Sequence, residues 1–139
     1  MNSTVSNLSL ADILETTIEL AQTAAVMLRG YYRGSGDLDV RDKEQGPVTI
    51  ADEAVDRYLL AGIRSMCGES CGYLTEETHQ MVDKALLQDW VWIIDPLDGT
   101  RDFIDKTGEY AIHIALTYQR VQFWRWLRYQ NQTGCMQLR

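Results

Sequence analysis

Apolar positions along the chain follow two rhythms, one helical and one of unbroken or alternating runs. Leu10, Ile13, Leu14, Thr17, Ala21, Ala24, Ala25 and Leu28 recur three and four apart, the spacing that lines one face of an α-helix. Ser9 and Asp12 stand before them as a capping-box pair, which predicts a helix over about residues 10–31, ended by Gly30, Gly34 and Gly36. A second helix is predicted from Thr49 and Asp52, again an N-cap and its partner three residues on, followed by Ala51, Val55, Tyr58, Leu59, Gly62, Ile63 and Met66 on one face. Between the helices the chain is polar and turn-rich, with a short strand expected at 38–41.

The second rhythm dominates the rest. Residues 72–78 read as a short apolar strand running into Glu76 and Glu77, and residues 79–89 as a short helix. Trp90-Val91-Trp92-Ile93-Ile94 is an uninterrupted apolar run that suits a buried strand. It empties into Asp95-Pro96-Leu97-Asp98-Gly99-Thr100, where Pro96 is expected to stop the strand and Gly99 to allow a positive backbone angle. Ala111, Ile112, Ile114, Ala115, Leu116 and Tyr118 form a further strand in which His113 is a packed residue.

Composition narrows the class. A chain of 139 residues with 45% hydrophobic and 24% charged residues is one modest globular domain. Its net charge of −7 argues against a nucleic-acid polymer or a membrane surface as partner. A small anionic substrate is still admissible, because a bound cation reverses the sign of a site locally. Residues 1–12 hold no basic residue and no long apolar run, so neither a secretory signal nor an anchor is expected, and a cytoplasmic setting follows. Cys67, Cys71 and Cys135 are an odd set without a CxxC pair, which fits reduced thiols. Cys67 and Cys71 with His79 lack a fourth ligand and a zinc spacing.

Candidate chemistry collects at the acidic turn. Asp95 and Asp98, three apart across a bend, can share a hard cation, and a helix opening at Gly99-Thr100 would turn free N–H groups toward a phosphate. Spacing alone admits plainer roles: Asp98 as a cap, Asp95 as a turn residue, Asp52 as part of a capping box, and Glu76 and Glu77 as solvated charge.

The string Asp95-Pro96-Leu97-Asp98-Gly99-Thr100 resembles the signature of the inositol monophosphatase superfamily of magnesium-dependent, lithium-sensitive phosphatases. Pro47-Val48-Thr49-Ile50-Ala51-Asp52 and the Glu76-Glu77 pair resemble two further elements of that family, and Lys43 lies where relatives carry a basic residue. The resemblance implies an α+β fold, the N-terminal part of the layered sugar-phosphatase architecture, with two helices packed on an antiparallel sheet. It implies magnesium held by Glu76, Asp95, Asp98 and the Leu97 carbonyl; an attacking water handled by Thr100, Asp52 and Glu76; and phosphate cradled at Gly99 and Thr100. Arg101-Asp102-Phe103 followed by Gly108-Glu109 is similar to the 3'(2'),5'-bisphosphate nucleotidase branch. The expected substrate is therefore 3'-phosphoadenosine 5'-phosphate, with an inositol phosphate as the alternative and a non-catalytic metal- or partner-binding remnant as a third reading.

The resemblance covers residues 9–119, under half of a typical member, so an incomplete domain over 1–119 and little or no turnover are expected. Residues 120–139 change character: four of the 13 basic residues fall there and none of the 20 acids. No hydrophobic period is evident, and a shifted reading frame is the expectation. In the frame one base away, Phe123-Trp124 must spell Leu and Met136-Gln137 must spell Ala, and permitted codons elsewhere give two apolar strands.

Overall fold

In the computed structural model, residues 8–34, 36–43, 46–76, 82–119, 127–130 and 135–138 are described. The first helix, α1 (Leu10–Arg33), starts as its sequence predicts. Ser9 Oγ accepts from the Asp12 N–H at 3.1 Å, and Asp12 returns a carboxylate oxygen to the Ser9 N–H at 3.1 Å. Ile13, Thr17, Ala21, Ala24, Ala25 and Leu28 are its buried stripe.

The helix runs two residues past the expected Tyr31 and closes at Gly34, one of the three glycines expected to end it, whose N–H donates to the Gly30 carbonyl. A glycine inside a helix costs only about 1 kcal/mol relative to alanine, and packing outweighs that here. The two added residues place Tyr32 against Phe103 and Tyr110, ring centroids 5.4 and 5.2 Å away. Lys106 stacks its ammonium 4.5 Å over the Tyr32 ring and donates to the Tyr32 carbonyl, capping the helix end with a cation.

The strand expected at 38–41 lies further on. Strands β1 (Arg41–Lys43) and β2 (Gly46–Val48) form a small antiparallel hairpin. From it the chain enters α2 (Ile50–Cys67), with Thr49 as N-cap in the predicted capping box. Helices α1 and α2 cross closely at Gly62, where a Cβ would stand 2.5 Å from a Leu20 methyl.

A single turn of 3-10 helix (Gly68–Ser70) leads from α2 to the sheet, whose order is β3-β4-β5-β6-β7. Strand β3 (Cys71–Thr75) runs parallel to β4 (Trp90–Asp98), reached through the short helix α3 (Val82–Ala85). Strands β5 (Ala111–Tyr118), β6 (Leu127–Gln130) and β7 (Cys135–Leu138) follow antiparallel. The sheet is thus antiparallel apart from one parallel pair, because the segment between β3 and β4 carries the chain back to the same end of the sheet. Residues 120–139, in which no period was legible, supply β6 and β7 as its last two strands. Trp92, Ile94, Ile112 and Ile114 face α1 and α2 across the main core, with Val55, Leu59, Ile63 and Phe103. No described helix is long and apolar enough to cross a membrane.

Glycine 72 sets how tightly α3 lies on β3. A Cβ there would fall 2.2 Å from the Ala85 carbonyl oxygen, a backbone atom that no rotamer change can remove. Gly72→Ala is expected to displace α3 and cost about 1–3 kcal/mol, the range for overpacking, read as a lower urea midpoint at unchanged m-value. An unaltered midpoint would show that α3 is not seated on the strand.

Candidate active site

Two elements far apart in sequence meet at Asp52. Its carboxylate is buried at the first turn of α2 and accepts from the Thr49 N–H at 2.9 Å and the Thr49 hydroxyl at 2.6 Å, both on Oδ2. The other oxygen, Oδ1, accepts from the Thr100 hydroxyl at 2.9 Å, a bond spanning 48 residues. Capping and long-range recognition are therefore not rival roles for Asp52, since each uses a different oxygen. Burial raises its pKa above the usual carboxylate range, and the hydrogen bonds from Thr49 and Thr100 oppose that shift.

Thr100 begins α4 (Thr100–Ile104) at the end of β4. Its hydroxyl has a second acceptor in the Leu97 carbonyl, at 3.2 Å, so one proton bridges the turn and α2. Gly99 makes this geometry possible. It sits at φ +86°, ψ +42°, and a Cβ would be 2.6 Å from the Glu109 carbonyl oxygen.

Pro96 does not end the strand as predicted. Strand β4 continues to Asp98, and the lost N–H appears as a shift of register: Asp95 pairs with His113, but Asp98 pairs with Ala111. The bulge turns Asp95 inward, where its Oδ1 accepts from the Leu97 N–H at 3.2 Å. Asp98 stays on the outside, its side chain 54% exposed and 3.6 Å from His113 Nε2. His113 was expected only to pack; its nearness to Asp98 depends on the bulge, which periodicity does not reveal.

Glu76, just past β3, hydrogen-bonds Asp95. Burial raises the Asp95 pKa, nearby Asp98 and Asp52 raise it further, and the bonds from Glu76 and the Leu97 N–H counter them. Asp52, Glu76, Asp95, Leu97, Asp98, Gly99 and Thr100 thus converge on the mouth between β3, β4 and the start of α2. The described residues nevertheless contain no group of three or more His, Cys, Asp or Glu already placed to hold a metal ion.

The donor chemistry still suits a hard divalent cation. Every candidate donor is oxygen, and two carboxyl groups in contact must share either a proton or a positive charge. Glu77 and His79 lie outside the described residues, as does the side chain of Lys43. Cys67 and Cys71 are buried free thiols in the main core, and no zinc cluster forms among the described residues.

Comparison with known proteins places these residues in context. The model of the inositol monophosphatase family matches residues 9–122. The chain is 34% identical over 110 residues to the 3'(2'),5'-bisphosphate nucleotidase CysQ of Salmonella typhimurium, covering 77% of this chain and 44% of that protein. Among solved structures, CysQ of Bacteroides thetaiotaomicron superposes with a TM-score of 0.73 at 27% identity, over 96% of this chain and 47% of that one. Inositol monophosphatase II of Staphylococcus aureus MSSA476 shares the fold, with a TM-score of 0.75 at 21% identity over 94% of this chain and 46% of its own. The chain therefore spans less than half the length of the relatives it matches.

Proposed function

Because the chain belongs to the inositol monophosphatase family, we propose that it carries the N-terminal part of the active site of a magnesium-dependent phosphomonoesterase. The proposed substrate of the full-length enzyme is 3'-phosphoadenosine 5'-phosphate, cleaved to AMP and phosphate, and this 139-residue chain alone turns over little or nothing. The observation that carries the reading is the Thr100 hydroxyl on Asp52 Oδ1 at 2.9 Å.

That bond fixes the direction of a proton relay. With its hydrogen committed to Asp52, Thr100 Oγ1 turns lone pairs outward and accepts from a water. Glu76, at the same mouth, accepts the second hydrogen of that water and aims its oxygen for in-line attack on phosphorus. Glu76, Asp95, Asp98 and the Leu97 carbonyl are the groups that would hold magnesium, which when bound supplies positive charge to the phosphoryl oxygens and acidifies water. Backbone N–H groups at Gly99 and Thr100 would receive phosphate oxygens.

The nucleotide is favoured over an inositol phosphate by the 34% identity to CysQ, together with Arg101-Asp102-Phe103 and Gly108-Glu109 after the signature. Low turnover of this chain alone is proposed because it spans under half the length of the CysQ relatives it matches. Phosphate release by the purified chain, with 3'-phosphoadenosine 5'-phosphate and inositol 1-phosphate offered separately in magnesium, tests both parts. The expected rate on either is at least about 100-fold below that of intact CysQ, the scale of loss when a metal site is incomplete. Turnover near the intact enzyme's would overturn the inactivity, and preference for the inositol phosphate would overturn the substrate.

A further inference from the structure

A cleft of about 70 Å³ opens at the start of β3, at the opposite end of that strand from Glu76 and the acidic mouth. Its floor is Gly72 against the Ala85 carbonyl, where the missing Cβ lets α3 lie on the strand. One wall is the end of α2 with the turn after it, and the other is α3 with the turn that follows. Together they bring Arg64, Glu69, Tyr73, Lys84 and Gln88 to one space. Arg64 is held there, its guanidinium carbon 4.9 Å from the centre of the Tyr73 ring, while the Tyr73 hydroxyl donates to the Gly68 carbonyl at 2.6 Å. Arg64, Glu69 and Lys84 are exposed, and none of them forms an ion pair among the described residues, in a chain with 20 acids to 13 basic residues. The charges therefore stand around the cleft rather than on one another.

We propose that this cleft binds a small protonated oxyanion, inorganic hydrogen phosphate, between Arg64 and Lys84, with Glu69 accepting its P–O–H proton. Size sets the first limit. At roughly 10–15 Å³ per water the space holds about five waters, enough for one tetrahedral oxyanion and too little for a nucleotide or an inositol phosphate. Charge sets the second. Two cations against one carboxylate leave the cleft positive within a chain of net charge −7, and guanidinium and ammonium both donate charge-assisted hydrogen bonds to oxyanions.

Glu69 sets the third limit, because an ionised carboxylate only accepts. Both forms of phosphate present at neutral pH keep a P–O–H that can donate to it. Sulfate keeps none, so it would set an oxygen against Glu69 with no hydrogen between them, and the cleft rejects it by repulsion. Gln88, half-buried in the lining, offers an amide N–H to a remaining oxygen. The site lies apart from the carboxylate cluster and does not depend on the catalytic reading.

Inorganic phosphate titrated into the full chain at neutral pH, with chelator and at constant ionic strength, and followed by NMR of the backbone amides, tests this. The expected result is saturable binding whose shifts centre on Gly72, Tyr73 and Ala85, with sulfate at least about tenfold weaker. Arg64→Gln combined with Lys84→Gln should lower phosphate affinity at least about tenfold. Both side chains are exposed, so the variant keeps the parent's fold. Glu69→Gln, which supplies a donor, should erase the preference for phosphate over sulfate. No saturable binding, shifts confined to Gly99 and Thr100, equal binding of sulfate by the parent, unchanged affinity in the double variant, or a preference that survives Glu69→Gln would each overturn the proposal.

Discussion

Replacing Gly99 with alanine is expected to cost about 2–5 kcal/mol of folding stability, the largest effect of any single methyl group at the site. Two penalties combine. A residue other than glycine in the left-handed region costs about 1–2 kcal/mol, and Gly99 has φ +86°. The added Cβ would also lie 2.6 Å from the Glu109 carbonyl oxygen, so the chain entering β5 must shift, an overpacking cost of about 1–3 kcal/mol. Urea titration of the variant against the parent reads the loss: one no larger than the backbone penalty of about 1–2 kcal/mol would mean that the Glu109 contact is not tight. For a domain whose total stability lies in the usual range of roughly 5–15 kcal/mol, the Gly99 variant approaches the limit of folding.

The same turn shows how far the residues alone could be followed. Caps are local, so Ser9 with Asp12 and Thr49 with Asp52 announced both helix starts, and the structure has both boxes. The helical stripes and the Trp90–Ile94 strand were legible for the same reason, since burial imposes a period on neighbouring positions. Chain ends of elements were not. Which of Gly30, Gly34 and Gly36 ends α1 was not legible, because the aromatic cluster that carries the helix to Arg33, Tyr32 with Phe103 and Tyr110, is assembled from residues some seventy positions apart.

Pro96 likewise looked like the end of a strand and proved to be a bulge inside one. A proline forbids a donor, but whether the ladder stops or slips depends on the partner strand. Strands β6 and β7 come from a stretch whose composition gave no period; their pairing uses backbone groups, which every residue carries. Of the site, the residues were legible only as a signature. That Asp52 reaches Thr100 while Asp98 turns toward His113 depends on tertiary placement. One consequence is energetic: a pattern that concentrates Asp52, Glu76, Asp95 and Asp98 at one mouth must cost stability unless a cation or protons accompany it.

Asp95→Asn should therefore reverse its effect according to magnesium. Asp95 binds its proton more tightly in the folded chain than in the unfolded one, because burial and the charges of Asp98 and Asp52 raise its pKa above 3.8. Between 3.8 and the raised value the folded state holds more protons, so this contribution to stability is full at low pH and is lost as pH rises through the folded pKa. Above its raised pKa the ionised carboxylate is a liability without metal. Asparagine keeps an oxygen for the Leu97 N–H and gives Glu76 a neutral donor in place of a second charge. Without magnesium the variant should be more stable than the parent by about 1 kcal/mol, the scale of one net hydrogen bond. With magnesium at a hundred times its dissociation constant the parent should gain about 2.7 kcal/mol by mass action, and the variant, lacking a ligand, much less. Thermal melts of both chains at neutral pH, with magnesium and with chelator, give the four values needed. A crossing of the order of stability would tie the carboxylate cluster to a cation. Parallel responses of parent and variant to magnesium would remove Asp95 from the set that holds it.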